Sequence, residues 1–327
     1  MNMEIAEFSQ LARSIEREVS RVIVGQQHVV RLVLICVLSG RHALLEGVPG
    51  LGKTQLIRTL ADAMALNFSR IQFTPDLMPS DVTGTNIMED TEDGRKAFRF
   101  QRGPIFANLV LADEINRATP KTQSALLEAM QEKTVTVGGV VYPLSLPFFV
   151  LATQNPLEQE GTYPLPEAQL DRFMFKIDVD FPTVNDLVTI IERTTGNISP
   201  KAEKVVDGEQ VLQMGELALN MPVPTHVTRY VAELIIATHP ESENAPDAVR
   251  RYVRYGASPR GAQALIMGAK IHALLEGRFN VSFDDIEAIA FASLRHRLLL
   301  NFEGMAEGVP TDAIVEGLLK SVQKVKA

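Results

Sequence analysis

The sequence has one cysteine and no apolar run long enough to cross a bilayer. Cys36 lies within the apolar stretch Val33–Leu38, where a buried thiol on a helix is expected. A single cysteine excludes a disulfide framework, which is typical of a reducing compartment. The apolar run Val29–Leu38 is interrupted by Arg31 and is too short for a membrane span. The acidic start Met1–Glu7 lacks a signal-peptide pattern, so we expect a cytoplasmic protein.

Positive charge and paired metal ligands are also scarce. The chain has 40 acidic and 32 basic residues and a net charge of −8, which argues against a nucleic-acid surface, although a basic patch can lie within an acidic total. Its six histidines show no spacing typical of a metal site. No Ser-His-Asp or Cys-His arrangement is indicated by spacing either. Metal chemistry other than that of Mg²⁺ therefore has no support.

The sequence contains the pattern of a phosphate-binding loop between a strand and a helix. Residues Gly47–Thr54 fit the pattern Gly-x4-Gly-Lys-Ser/Thr, in which bare backbone N–H groups cradle phosphate oxygens. The apolar strand His42–Glu46 precedes the loop, and the following helix, Lys53 to Met64, points its positive end at the phosphates. A simple glycine turn between strand and helix is the alternative. The residues expected to bind nucleotide here are Gly47, Pro49, Gly50, Leu51, Gly52, Lys53, Thr54 and Gln55.

Two side chains of this loop have expected chemical roles. Lys53 supplies a positive charge to the β- and γ-phosphates. Thr54 supplies a hydroxyl oxygen for Mg²⁺. The sequence therefore predicts that ATP and Mg²⁺ bind together.

Short apolar runs alternate with helical patterns in the first half of the chain. The pattern predicts a doubly wound α/β fold with a parallel five-stranded sheet. The strand candidates are Ala43–Glu46, Ser69–Phe73, Asn108–Ala112, Phe148–Thr153 and Phe173–Asp178. The helix candidates between them are Gln26–Ser39, Lys53–Leu66 and Thr119–Glu132.

Strand signals nearly vanish after Pro182. We therefore expect an α/β nucleotide-binding core in residues 1–182, followed by an all-α domain in residues 183–327 that is hinged near Pro182. Start signals such as Ser258-Pro259 support the helices. The helix candidates here are Gln210–Leu219, Thr225–Thr238, Ser258–Glu276, Ser282–Leu300 and Thr311–Lys324.

Two insertions interrupt the α/β pattern. Val135–Tyr142, with Gly138-Gly139 at its centre, predicts a β-hairpin. The stretch Pro79–Pro104 predicts a hairpin or a short helix. Each is either decoration or an element that touches a partner. The second insertion carries basic residues near Phe98 and Phe100, the one feature that favours nucleic acid: Arg95, Lys96, Arg99 and Arg102.

An acidic pair follows the apolar strand that begins at Leu109. We expect Asp113 to hold Mg²⁺ through its water shell and Glu114 to orient and deprotonate the attacking water. A base aimed at water is typical of a hydrolase rather than a kinase.

Three further polar residues are candidates for the γ-phosphate. Asn155 ends the next strand and can hydrogen-bond the water or the phosphate; an Asn turn before proline is the alternative. Arg172 can bind a phosphate through its forked guanidinium, or simply pair with Asp171. Arg260, at a helix start, reaches the nucleotide if the second domain folds over it, or is merely solvated.

These residues resemble the nucleotide site of AAA+ ATPases. Gly47–Thr54, Leu109–Glu114, Asn155, Arg172 and Arg260 look like Walker A, Walker B, sensor 1, arginine finger and sensor 2. Three longer runs resemble the MoxR family in particular, within a match over roughly residues 20 to 300: Asp113–Ala118, Gln123–Glu132 and Ala152–Phe173. Val24-Gly25-Gln26 resembles the segment that lines the family's adenine pocket, which adds Val24 and Gly25 to the expected nucleotide contacts.

The resemblance implies an ATP- and Mg²⁺-dependent ATPase that works as a hexameric ring, with Arg172 acting in trans on a neighbour's γ-phosphate. It also implies a chaperone-like remodeller of protein complexes, with a von Willebrand A domain partner and a possible part in metal insertion. A nucleic-acid motor or clamp loader is the alternative that shares this core. A non-hydrolysing scaffold is disfavoured by the intact Glu114.

Overall fold

The computed structural model describes residues 3–48, 50–90, 96–155, 161–196 and 200–324. At its centre lies a parallel sheet of five strands in the order β2-β5-β8-β1-β9. All five strands overlap the runs predicted from sequence, so the predicted doubly wound parallel sheet is confirmed. The strands of the chain are β1 (Ala43–Glu46), β2 (Phe68–Gln72), β3 (Gly84–Asp90), β4 (Lys96–Arg102), β5 (Leu109–Asp113), β6 (Thr134–Val137), β7 (Val140–Pro143), β8 (Phe149–Gln154), β9 (Phe175–Asp178), β10 (Val253–Tyr255) and β11 (Leu299–Leu300).

Helices cover both faces of this sheet and make up most of the chain after residue 183. None of the helices described is long and apolar enough to cross a membrane. The helices are α1 (Ile5–Val22), α2 (Gln27–Leu38), α3 (Lys53–Ala63), α4 (Pro79–Thr83), α5 (Pro120–Glu132), α6 (Glu167–Leu170), α7 (Val184–Thr195), α8 (Gly208–Asn220), α9 (Thr225–Ala237), α10 (Asp247–Tyr252), α11 (Pro259–Leu275), α12 (Phe283–Leu294), α13 (Phe302–Ala306) and α14 (Thr311–Ser321), with a 3₁₀ turn at Ile115–Arg117.

The central strands are buried on both faces, and alternate side chains enter different apolar clusters. Leu109 and Leu111 of β5 join a cluster with α1, α2, α3 and the helices after residue 206. Val110 and Ala112 join a second cluster with α5. This division follows from the two-residue period of a strand. Because the first cluster runs on into α8, α9, α11 and α12, the helical half packs directly on the α/β half.

One predicted helix is wrong at its end. Ser282–Leu300 was expected to be helical throughout, but α12 ends at Leu294 and residues 299–300 pair with β10. Arg297 lies just beyond this end, and its side chain binds the segment that precedes β9. Its guanidinium donates to the carbonyls of Phe173 and Met174 and pairs with Asp171 at 2.8 Å. These long-range contacts override a helical pattern that sequence alone supports.

Both insertions contain hairpins, as predicted. β6 pairs with β7 around the predicted turn, and α4 leads into the β3–β4 hairpin. The rings of Phe100 and Tyr142 stack with centroids 4.1 Å apart. The two insertions are therefore in contact with each other. Arg95 lies outside the described residues.

His42 is buried just before β1. Its Nδ1 accepts from the Val150 N–H and its Nε2 donates to the Met130 carbonyl, each at 3.0 Å. These two partners require the neutral ring, because a protonated ring has no acceptor. Burial lowers the pKa of His42 from its ordinary value of 6.5 to about 4.

We expect the free energy of unfolding to fall as the pH falls from 6.5 to 4. The unfolded chain binds a proton on His42 in that range and the folded chain does not, so acid favours unfolding by about 3 kcal/mol from this group. Urea unfolding at several pH values measures it. His42→Gln should flatten the slope, whereas His226→Gln, at a position on α9, should not. A His42→Gln protein with the wild-type slope contradicts this account.

Candidate nucleotide site

The predicted phosphate loop, acidic pair and Asn155 meet at one edge of the sheet. The loop follows β1, the acidic pair ends β5, and Asn155 follows β8. These three strands are adjacent and parallel, so their carboxyl ends lie together. Asn155 is buried with 7% of its surface exposed. It stands at the end of the strand that separates the loop from the acids.

The phosphate loop has the backbone shape that its glycines were expected to provide. Gly50 and Gly52 have φ angles of 88° and 76°, in the left-handed region that favours glycine. Added Cβ atoms at either position would meet nothing within 4 Å, so the space beside the loop is open. Gln26 Nε2 donates to the Leu51 carbonyl at 3.0 Å. Pro49, the other predicted contact here, lies outside the described residues.

Lys53 begins α3 and folds back on the loop. Its Nζ donates to the carbonyl of Gly47. Burial lowers the pKa of Lys53, while the carboxylates of Asp113, Glu114 and Glu46 act in the opposite direction. Phosphate oxygens would give this half-buried cation stronger partners than one backbone carbonyl.

The acidic pair is held by a residue that the sequence reasoning missed. Thr153 Oγ1 donates to Asp113 Oδ1 at 2.7 Å and accepts from the Glu114 N–H at 2.9 Å. One hydroxyl therefore orients the metal candidate and the base candidate together. The only sequence signal was a polar residue near the end of the apolar strand Phe149–Gln154.

Two side chains of β2 also bind the acidic pair, and neither was predicted. Arg70 donates to Asp113 Oδ2 through Nη2 at 2.6 Å and through Nε at 3.1 Å. Gln72 Nε2 donates to Glu114 Oε2 at 2.7 Å, and Arg117 pairs with the same oxygen at 3.1 Å. Both contacts are to one oxygen of Glu114, Oε2.

The donors at this edge fit a magnesium ion. Asp113 supplies carboxylate oxygen, and the Thr54 hydroxyl stands in the first turn of α3. Carboxylate and hydroxyl oxygens, completed by phosphate oxygens and water, suit Mg²⁺. The guanidinium of Arg70 already lies on Asp113, which shows that this position accepts positive charge.

A cavity of about 330 Å³ opens beside the phosphate loop. Its apolar walls come from Ile23 and Val24 on one side and from Leu187 and Ile190 of α7 on the other. An added Cβ on Gly25 would lie 2.4 Å from Asp186 Cγ, so this segment contacts the first turn of α7. Gly50, Leu51, Gly52 and Gln55 of the phosphate loop and α3 also line it. The cavity is apolar and continuous with the loop, as an adenine pocket requires; sequence reasoning missed α7.

Arg172 and Arg260 lie at the other end of the sheet. Arg172 precedes β9, and its Nη1 donates to the Leu127 carbonyl at 3.0 Å. Arg260 Nη1 lies 3.6 Å from Asp171 Oδ2. Because β9 runs parallel to β1, residues before β9 lie at the amino ends of the strands and the phosphate loop at the carboxyl ends. The structure brings these two arginines together but not to the loop of their own chain.

Both arginines line a second cavity, of about 500 Å³. Among the described residues of its lining, five are cationic and one is acidic. The cations are Arg41, Lys133, Arg172, Arg260 and Arg297, and the acid is Asp171. Asp171 does not pair with Arg172 as the simpler sequence hypothesis held; it binds Arg297, Arg260 and the Ser258 hydroxyl. The cavity therefore suits an anionic group.

Comparisons with known proteins agree with this geometry. The model of the ATPase family associated with various cellular activities (AAA) matches residues 42–175, and that of the AAA lid domain matches residues 246–318. A crystal structure from Cytophaga hutchinsonii, described as a candidate ATPase, is similar with a TM-score of 0.92 and 43% identity, and the match covers 98% of this chain and 97% of that one.

Two named relatives match over most of their length. Chaperone MoxR1 of Mycobacterium tuberculosis is 43% identical, over 97% of this chain and 83% of that protein. Protein MoxR of Paracoccus denitrificans is 32% identical, over 92% of each. The chain therefore belongs to the MoxR family of AAA+ ATPases.

Proposed function

We propose that this ATPase hydrolyses Mg²⁺-bound ATP at sites shared between neighbouring subunits of a ring. One observation carries the proposal: Arg172 and Arg260 share a cationic cavity at the end of the sheet opposite the phosphate loop. Neither arginine has a role at its own chain's loop in this arrangement. In the proposed ring, each arginine binds the negatively charged phosphates of the nucleotide in an adjacent subunit.

The proposed mechanism follows from the contacts that each side chain makes. Lys53 leaves the Gly47 carbonyl and donates to the phosphates. Glu114 leaves Gln72 and accepts a proton from the attacking water. Asn155 positions that water or the γ-phosphate. Thr54 and Asp113 would hold magnesium, which would supply positive charge to the phosphates. Arg172 and Arg260 of the neighbour stabilise the charge on the transferred phosphoryl group.

A ring follows from the asymmetry of the two ends. Docking the cationic cavity of one subunit against the phosphate loop of the next is a head-to-tail contact, which closes into a ring if the rotation allows it. Six subunits are proposed from the family resemblance. We also infer that residues 1–182 and 183–327 act as two domains, since the second part lines this chain's own nucleotide pocket through α7 and faces the pocket of a neighbour through Arg260.

The work that hydrolysis drives is proposed to be remodelling of a protein client in the cytoplasm, with a von Willebrand A domain protein as partner and a possible part in metal insertion. A relative named a chaperone supports this. Nucleic acid is disfavoured by the acidic total of the chain, and two of the basic side chains of the hairpin have partners within the protein: Arg99 pairs with Glu89 at 3.2 Å, and Arg102 lies 5.3 Å over the Phe106 ring. At the same hairpin, Phe98 and Met88 pair across the strands and are 73% and 57% exposed, a surface suited to a protein client.

The test is the dependence of specific activity on protein concentration. If sites are shared, phosphate release per subunit should rise steeply as rings assemble, while ATP binding per subunit stays constant. Lys53→Ala should remove both binding and release. Specific activity that is independent of concentration, in a protein shown to be monomeric by sedimentation, would contradict the shared site.

A further inference from the structure

We propose that Arg70 is a positioning residue that sets the magnesium requirement of this site. It holds the carboxylate of Asp113 in this structure and competes there with the metal. The inference rests on the proposed function, because it assumes that Asp113 serves the metal. Arg70 lies on the edge strand β2.

Arg70 contacts the carboxylate of Asp113 directly. Two nitrogens of Arg70 reach one carboxylate oxygen, Oδ2, at 2.6 and 3.1 Å. The other oxygen, Oδ1, is taken by Thr153. Oδ2 is therefore the oxygen left to face a metal or its water shell, and in this structure a guanidinium holds it.

Arg70 also contacts Gln72. These residues are two apart on β2, so their side chains leave the same face of the strand. Arg70 Nη2 donates to Gln72 Oε1 at 2.6 Å. A guanidinium has no acceptor, so only the amide oxygen of Gln72 can face it. The amide NH₂ is thereby turned outward, and it donates to Glu114 Oε2 at 2.7 Å.

The contacts form one continuous series from Asp113 through Arg70 and Gln72 to Glu114. The guanidinium and a divalent cation compete for Asp113 Oδ2, because two positive charges close to one oxygen repel each other. Binding of the metal is therefore expected to displace Arg70 from this oxygen.

The energetic cost of this release is small. The Arg70 side chain is 48% exposed, so water can replace its contacts, and ion pairs of this kind contribute little to stability. Asp113 is 16% exposed and stays in place through Thr153. The network is therefore suited to open on ligand binding without wider unfolding.

The experiment is a magnesium titration of the binding of a fluorescent ATP analogue by the full chain, with no turnover required. Arg70→Ala should lower the free Mg²⁺ concentration at half-saturation by about threefold to tenfold, because the competing cation is gone. Arg70→Lys should fall between, since an ammonium lacks the forked donors. The analogue binds Mg²⁺ in solution equally in every experiment. This binding therefore does not affect the difference in Mg²⁺ midpoint between the wild type and a variant.

A control variant isolates the effect. Arg99→Ala, which removes an exposed arginine on the β4 hairpin strand, should leave the Mg²⁺ midpoint unchanged.

Three outcomes overturn the proposal or its basis, and they can be told apart. An Arg70→Ala midpoint equal to wild type shows that Arg70 does not compete with the metal. A weaker midpoint, or lost analogue affinity at saturating Mg²⁺, shows that Arg70 instead assists ligand binding. If the wild-type chain binds no analogue at saturating Mg²⁺, the proposed nucleotide site itself fails.

Discussion

Replacement of Arg172 by alanine is expected to lower ATP turnover by roughly 10³- to 10⁵-fold while leaving ATP affinity almost unchanged. The side chain lies at the amino ends of the strands, away from the phosphate loop of its own chain. Its loss therefore removes charge stabilisation at a neighbour's site and no contact at its own. Steady-state phosphate release at assembly-competent concentration and equilibrium ATP binding are the two measurements. Arg229→Ala, at an arginine 79% exposed on α9, is the matched control.

Mixing variants tests whether Arg172 acts in trans. Arg172→Ala subunits retain Glu114, and Glu114→Gln subunits retain Arg172. In randomly mixed rings at equal amounts, about a quarter of the head-to-tail interfaces combine an intact acid with an intact arginine. We therefore expect the mixture of two inactive proteins to recover about that share of wild-type activity. If the mixture stays inactive although mixed rings form, Arg172 acts in cis. If Arg172→Ala alone has full activity, another arginine stabilises the γ-phosphate.

Replacement of Glu114 by glutamine is expected to lower turnover by roughly 10²- to 10⁴-fold and to leave ATP bound. The amide has nearly the size of the carboxylate but cannot accept a proton from water. The partners of the native side chain, Gln72 and Arg117, are donors, so an amide oxygen can keep one of them. Single-turnover phosphate release and the amount of retained ATP measure the two effects.

A matched substitution separates the role of this acid from a loss of charge. Glu216→Gln, at an exposed position on α8, should turn over as wild type does. Turnover by Glu114→Gln at the wild-type rate would remove Glu114 as the base. If the variant traps ATP, proteins that copurify with it and are lost on ATP removal are candidates for the client.

The predicted part of the fold is the part with strong local patterns. The buried central strands read as continuous apolar runs, and all five strands, including the more polar edge strand β2, were found from sequence. The phosphate loop and the acidic pair were found because their spacing is set by local chemistry. Strand order is a tertiary property, and it alone shows that β2 lies beside β5. Arg70 and Gln72 were therefore invisible as partners of Asp113 and Glu114, more than 40 residues away in sequence.

Two of the longer helices, α1 and α7, were missed although the periodicity of both was available. The spacing of Phe8, Ala12, Ile15 and Val19 in α1 is a regular apolar face that buries well. In α7, Val184, Leu187, Val188 and Ile191 follow a helical spacing, but no side chain of that helix is fully buried. The position of Arg260 depended on how the helical half packs, which no local signal reports.

The contacts of Asp171 have a consequence for assembly. This carboxylate binds Arg297, Arg260 and Ser258, and it is the immediate neighbour of Arg172. In the proposed ring, the two arginines that face the next subunit are therefore held next to each other by one partly buried carboxylate. A neighbouring subunit docked in the wrong orientation would lose the contacts of Arg172 and Arg260 together. ATP hydrolysis would therefore require correct docking of the two subunits.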